Sequence, residues 1–190
     1  MNDIIIKDNV LYLSKLKELY DNFLKIPWNT SEILNDKLSS AICEMECELI
    51  DNCQMTHVLF NDIPLKVTPT YDLIHPILLH LIENHGLRTL VRVKSNMNLK
   101  TSKIVKHGLH IDLVGGVDSN NPTNSIPKYY DGARTAIFYL NSNDGYTEFE
   151  DGTKIESVAN RLITFAGNIK HTGTTCTNQP YRMVINFNYF

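Results

Sequence analysis

Apolar residues recur at helical spacing early in the chain and at strand spacing later in it. Leu13, Leu16, Tyr20 and Phe23 stand three or four positions apart and form one apolar stripe, so a helix is predicted there after a first short strand. A second helical piece is predicted within Ser31 to Ile50. A third is predicted near Tyr71 to Asn84, with Leu73, Ile77, Leu78 and Leu81 on one face and Gly86 as its stop. From Arg88 onward the pattern changes to short runs rich in β-branched and aromatic residues, punctuated by the turn signals Asn143-Asp144-Gly145 and Asp151-Gly152. Such spacing predicts a mainly β sandwich or jelly roll. A bare sheet would expose apolar side chains, so the N-terminal helices, about 8–86, read as cover for a β core of about 88–190.

A chain of 190 residues with 43% hydrophobic composition suits one well-cored domain and is short for two. No apolar run is long enough for a membrane span, and Met1-Asn2-Asp3 lacks the basic start of a signal peptide, so the expected location is the cytoplasm. A formal charge of −3 gives no global attraction to nucleic acid. Arg88, Arg92, Lys94, Lys100, Lys103 and Lys106 nevertheless follow one another with no acidic residue between Leu87 and His107; a solvated face is the favoured reading. Cys43, Cys47, Cys53 and Cys176 do not make a disulfide framework at this size. With His57 the first three lack the close spacing of a zinc knuckle, so packing is the expected role.

The candidate chemistry begins at His110 and Asp112. Two residues apart in an extended segment, they project the same way and can grip one ion together. With His171 they would supply two imidazoles and one carboxylate to a metal, leaving its other positions open. The run Arg161-Leu162-Ile163-Thr164-Phe165 leads towards His171, and Tyr181-Arg182-Met183-Val184-Ile185-Asn186-Phe187 follows a turn rich in Thr, Asn and Pro. His171 and Arg182 are therefore expected on adjacent antiparallel strands. His107 falls off the face of the His110–Asp112 clip.

His110-Ile111-Asp112, Thr135 to Asn141, Asn160 to Phe165, His171-Thr172-Gly173 and Arg182 to Phe187 occur in an order that resembles the 2-oxoglutarate- and iron(II)-dependent oxygenases. The likeness is greatest to the prolyl-4-hydroxylase branch with its small phage and bacterial relatives, which extends the expected location to the cytoplasm of a virus-infected host cell. The resemblance runs from about Arg88 to the C-terminus and implies a double-stranded β-helix, a jelly-roll variant with its site between two sheets. It implies Fe(II) on His110, Asp112 and His171, with 2-oxoglutarate and O2 as co-substrates. The implied reaction decarboxylates 2-oxoglutarate to succinate and hydroxylates a primary substrate, a peptidyl proline or a small molecule, whose identity the sequence does not show. Oligomeric state is not legible either.

Within that frame Arg182 is the expected fork for the remote carboxylate of 2-oxoglutarate, because a guanidinium can give two parallel charge-assisted hydrogen bonds. Asn186 shares its parity and is grouped with it, while Tyr139 is the neutral partner, with Thr135 and Ile137 on the tyrosine's face. Arg161 is expected in a structural salt bridge. On the first core strand the resemblance turns Val93, Ser95 and Met97 towards the cavity and Arg92, Lys94 and Asn96 away, with Met97 where many relatives carry tyrosine. Nucleobase demethylases of the superfamily carry a second arginine six residues after the anchor; here that residue is Asn188, which disfavours nucleic acid as substrate. A non-catalytic metal-binding jelly-roll module is the other alternative. The long stretch between Asp112 and Arg134, ending near Tyr129 and Tyr130, is expected to close over substrate.

Overall fold

The computed structural model describes residues 4–32, 53–113 and 132–190. In chain order its elements are β1 (Ile5–Lys7), α1 (Leu13–Phe23), β2 (Asn29–Glu32), β3 (Cys53–Asn61), β4 (Lys66–Val67), a 3-10 turn (Pro69–Ile74) leading directly into α2 (His75–His85), β5 (Leu90–Leu99), β6 (Arg134–Tyr139), β7 (Tyr146–Phe149), β8 (Lys154–Glu156), β9 (Arg161–Ala166), β10 (His171–Gly173) and β11 (Tyr181–Tyr189). The strands form an eight-stranded sheet, ordered β1-β9-β6-β11-β5-β3-β2 with β4 beside β3, and a three-stranded sheet, β10-β7-β8. Every pairing is antiparallel. The class is the expected one: mainly β, with N-terminal helices on a jelly-roll core.

Two apolar clusters follow from the period-two alternation of the central strands. Ala136, Phe138, Met183, Ile185 and Phe187 point to one side of the large sheet and meet Leu19 and Phe23 of α1 and Ile77, Leu78 and Leu81 of α2. Fully burying each such side chain is worth roughly 1.5–3 kcal/mol, which is what holds the helices down. Ile137, Tyr139, Ile163, Phe165 and Val184 point to the other side and meet Phe149 and Ile155 of the small sheet. The candidate functional site lies between these two sheets.

Pro76 sits in the first turn of α2, where a missing N–H costs nothing, and Gly86 ends that helix in the left-handed region at φ 70°. In α1 the packed stripe is Leu16, Leu19, Tyr20 and Phe23, whereas Leu13 of the expected stripe is exposed at the first turn. The larger departure lies between Asn29 and Val67, inside the segment expected as helical cover, where three strands extend the large sheet. Ser31 and Glu32, at the start of the second expected helix, belong to β2; the rest of it, with Cys43 and Cys47, lies outside the described residues. The alternation of β3 is blurred by Gln54, Thr56 and His57, and its stability comes from distant pairing with β5. Cys53 begins β3, and Cys176 is a buried free thiol. Among the described residues no helix is long and apolar enough to cross a membrane.

Candidate functional site

After β5 the chain runs back along the approach to β11 through isolated bridges, Lys100 to Cys176, Lys106 to Thr174 and His110 to His171. The last exchanges two backbone hydrogen bonds, His110 N to His171 O at 2.9 Å and His171 N to His110 O at 3.0 Å. Two imidazoles therefore leave directly opposed backbone positions, with ring centroids 5.0 Å apart. Asp112 sends its carboxylate between them, Oδ1 lying 3.7 Å from His110 Nε2 and Oδ2 3.8 Å from His171 Nε2. These donor atoms all lie within 4.8 Å of one another, a candidate metal site.

The imidazoles are oriented alike. Nδ1 of His110 and Nδ1 of His171 each lie 3.1 Å from the carbonyl oxygen two residues earlier, Gly108 O and Ile169 O. A carbonyl can only accept, so Nδ1 carries the proton and Nε2 presents a lone pair, as a metal-binding imidazole requires. Nε2 of His171 is buried without a hydrogen-bond partner. Burial, with Phe165 edge-on at 4.8 Å, favours the neutral ring, while Asp112 pulls the other way. Two imidazole nitrogens and a carboxylate oxygen fit a divalent transition metal.

The carboxylate is held from behind. Asn188 Nδ2 donates to Asp112 Oδ2 at 3.0 Å, and Arg92 Nη2 donates to Asp112 O at 3.1 Å while standing 3.5 Å from Oδ1. Arg92 Nε in turn donates to Asn188 Oδ1 at 3.1 Å, closing the clamp. Burial alone would raise the Asp112 pKa; His171, Arg92, His110 and the Asn188 hydrogen bond outweigh it and hold the group well below the usual carboxylate range.

Arg182 lies deep in the same inter-sheet space, 2% exposed. Its Nε donates to Ser157 Oγ at 2.7 Å and its Nη2 to Thr147 Oγ1 at 3.0 Å, and its guanidinium carbon stands 5.6 Å from the Tyr139 ring centroid. Tyr139 donates to the same Thr147 hydroxyl at 2.8 Å. Two glycines make room for the arginine: a Cβ on Gly145 would come within 2.8 Å of its Cδ and 2.5 Å of Thr175 O, and one on Gly173 within 3.2 Å of its Nη1. No carboxylate among the described residues pairs with it. A buried cation met by neutral hydroxyls could accept an anion without first breaking an ion pair.

Of the other expected residues, Thr135 is buried and accepts from Asn188 Nδ2 at 3.1 Å, which ties it to the Asp112 clamp rather than to Arg182. Asn186 is buried with its Oδ1 unpartnered. Arg161 makes a two-pronged pair with Asp8, at 2.6 and 2.9 Å, outside the cleft. Tyr129, Tyr130 and most of the long connection lie outside the described residues.

Two expectations are corrected. His171 and Arg182 are not on adjacent strands: β10 pairs with β7 in the small sheet, while β11 pairs with β5 and β6 in the large one. The turn between them crosses from sheet to sheet. The face of β5 is reversed as well. Val93 and Met97 join the helix-side core, and register sets Arg92 beside Asn188, Lys94 beside Asn186 and Asn96 beside Val184, on the cleft side. The helices cover one face of β5, and its apolar set goes to them. His107 is not among the three grouped donors. Its Nε2 is buried without a partner, and burial, reinforced by Arg182 and His110, pushes its pKa down to about 3.

Sequence reading passed over Arg92, Thr147 and Ser157. For Arg92 a signal existed, since the polar set of β5 matches the polar set Arg182, Asn186 and Asn188 of its neighbour β11. For Thr147 and Ser157 there was none, because both reach Arg182 only across the gap between sheets. At Asn188 the missing arginine has a counterpart, for Arg92 brings a guanidinium to that corner from the next strand.

No family model matches the chain, and no curated protein matches it in sequence. Solved structures do match. An oxidoreductase of the 2OG-Fe(II) oxygenase family from Burkholderia pseudomallei is 13% identical, with a TM-score of 0.64 over 98% of this chain and 84% of that one. A prolyl hydroxylase from Trichoplax adhaerens, in complex with a hypoxia inducible factor oxygen degradation domain peptide fragment, is 14% identical, with a TM-score of 0.61 over 100% of this chain and 84% of that one. HygX from Streptomyces hygroscopicus, with nickel, 2-oxoglutarate and hygromycin B bound, is 10% identical, with a TM-score of 0.55 over 99% of this chain and 82% of that one. At these identities the likeness is one of fold.

Proposed function

We propose that this chain, whose fold is that of the 2-oxoglutarate- and iron(II)-dependent oxygenases, is a dioxygenase that hydroxylates a peptidyl proline or a small molecule while converting 2-oxoglutarate to succinate. The observation that carries the reading is the pairing, in one inter-sheet cleft, of an inward-facing His-Asp-His set with a buried arginine that has no carboxylate of its own. His110, Asp112 and His171 would hold iron(II), which when bound supplies the oxidative chemistry with 2-oxoglutarate and O2 as co-substrates.

The chain's own residues do the rest. Arg182 takes the remote carboxylate of 2-oxoglutarate, with its side chain already ordered by Ser157, Thr147 and the Tyr139 ring, so little freedom is lost on binding. Tyr139 is kept protonated by burial, which outweighs the nearby Arg182, and serves as a neutral donor. Ile137, Phe165 and Val184 keep the walls between the sheets dry, which strengthens both charged contacts. Asn188 and Arg92 keep the Asp112 carboxylate ionised and turned inward.

The fold neighbours bind a peptide in one case and hygromycin B in another, so both substrate classes are within reach of this architecture. The test is succinate formation from 2-oxoglutarate without added primary substrate. Iron-dependent succinate that disappears in His171→Ala is the expected result. Binding of iron and 2-oxoglutarate with no succinate above the metal-free blank, alone or with a substrate panel, would instead make the chain a non-catalytic module.

A further inference from the structure

The cleft holds more positive charge than the reading above uses. Among the described residues three cations belong to its walls, Arg92, Lys94 and Arg182, against one carboxylate, Asp112. Arg92 is engaged by Asp112 and Asn188. Arg182 is assigned to the remote carboxylate of 2-oxoglutarate. Lys94 is left.

Lys94 pairs in register with Asn186 and shares the cleft side of β5 with Arg92 and Asn96. It is half-buried, has neither a carboxylate nor a hydrogen-bond partner among the described residues, and has Arg92 and Asp112 as the charges it feels; burial lowers its pKa, Arg92 adds to that, and Asp112 opposes it. Two amides flank it, the half-buried Asn96 and the buried Asn186, and the Oδ1 atoms of both are buried without partners among the described residues. Among the described residues neither side-chain amide has a hydrogen-bond partner, so each can turn its NH2 towards an incoming anion. Desolvating a cation and two amides with nothing to meet them is unfavourable, and one carboxylate would satisfy all three. Register sets Lys94 four residues along the sheet from Arg182, about 14 Å at the backbone, so the two cations stand towards opposite ends of one cleft.

We propose that Lys94, with the amides of Asn96 and Asn186, is a second carboxylate-binding position at the metal end of the cleft. The assignment rests on the oxygenase reading for what else occupies the cleft. The carboxylate has two possible owners, the metal-end carboxylate of 2-oxoglutarate or an acid group on the primary substrate, and the recognition chemistry is the same for both. A lysine suits it because a compact ammonium on a long stem serves one carboxylate without demanding a planar fork.

The experiment uses the whole chain loaded with zinc(II), which takes the same donor types and does not turn over. 2-Oxoglutarate is titrated by calorimetry, and acetate is then titrated into the 2-oxoglutarate-saturated protein, for the parent, Lys94→Met and Lys94→Arg. Lys94→Met is expected to weaken one of the two titrations by about tenfold or more, the loss of a charged hydrogen bond, and Lys94→Arg to keep most of the affinity. A loss in the first titration assigns the carboxylate to the co-substrate; a loss confined to the second assigns it to another molecule, and so to an acidic primary substrate. Should Lys94→Met melt below the parent, Lys94→Gln makes the same comparison. Parent-like affinities in both titrations, or an acetate titration with no binding beside an unchanged first one, overturn the proposal. A parent that binds no 2-oxoglutarate yet binds acetate through Lys94 would instead overturn the oxygenase reading and leave this site standing.

Discussion

The two ends of the cleft solve opposite electrostatic problems. At the metal end an anion, Asp112, is already matched by Arg92 and the Asn188 amide before any ligand arrives. At the anchor end a cation, Arg182, is as deeply buried but is met only by hydroxyls, Ser157 and Thr147. One end presents a donor group already held in place, and the other a buried guanidinium with no carboxylate partner among the described residues. Burying an unpaired charge is costly, and on this contrast rests the proposed role of Arg182 as a binding residue.

The strongest way to break the metal end is to remove a donor. Asp112→Ala or His171→Ala should lower metal affinity by more than the roughly 10- to 100-fold that outer partners command, and should take succinate formation to background. Metal titration of the purified variants checks the first effect; retention of parent succinate rates by either variant would break the assignment. At the other end, Arg182→Met removes the buried cation and should weaken 2-oxoglutarate by about 10- to 150-fold, the worth of a charged hydrogen bond, while metal affinity stays near the parent value.

The clamp comes next. Asn188→Ala and Arg92→Met leave all three donors in place but free the Asp112 carboxylate, and metal affinity should fall by roughly 10- to 100-fold. If metal titration finds both variants unchanged, Asp112 is positioned by its backbone alone. Tyr139→Phe removes a neutral donor and should cost on the order of 0.5–1.5 kcal/mol in 2-oxoglutarate binding. Finding it more damaging than Arg182→Met would move the anchor elsewhere.

The smallest effect belongs to the paired arginine. Asp8→Asn breaks the Arg161 pair on the surface, worth roughly 0.2–1 kcal/mol, and should leave 2-oxoglutarate affinity unchanged. The hydrogen bond from Arg161 lowers the Asp8 pKa below 3.8, despite a small opposing effect of burial. The pair's contribution is therefore fully present above the unfolded carboxyl pKa and is lost as pH falls through the depressed folded one. Melting curves of parent and variant should differ at pH 7 and converge in acid.

Local periodicity determined a good deal by itself. It was enough for α1 and α2, for the Gly86 stop, for the strands after Arg88, and for the common face of Arg182, Val184, Asn186 and Asn188, because each depends on neighbours a few residues away. His110 and Asp112 could be seen to act together for the same reason. Parity says which residues share a face, though, and not which way that face points. The set Val93, Ser95 and Met97 was therefore legible as a set and misassigned in direction, until β5 was seen between β3 and β11 with the helices on one side. β2 and β3 escaped notice because their pairing energy comes from partners distant in sequence. Only tertiary structure could decide that His171 and Arg182 lie in different sheets, that Arg92 closes behind Asp112, and that Lys94 takes the cleft side of β5. Each of these is a contact across strands or across the gap between sheets, and the spacing of residues along one chain holds no record of it.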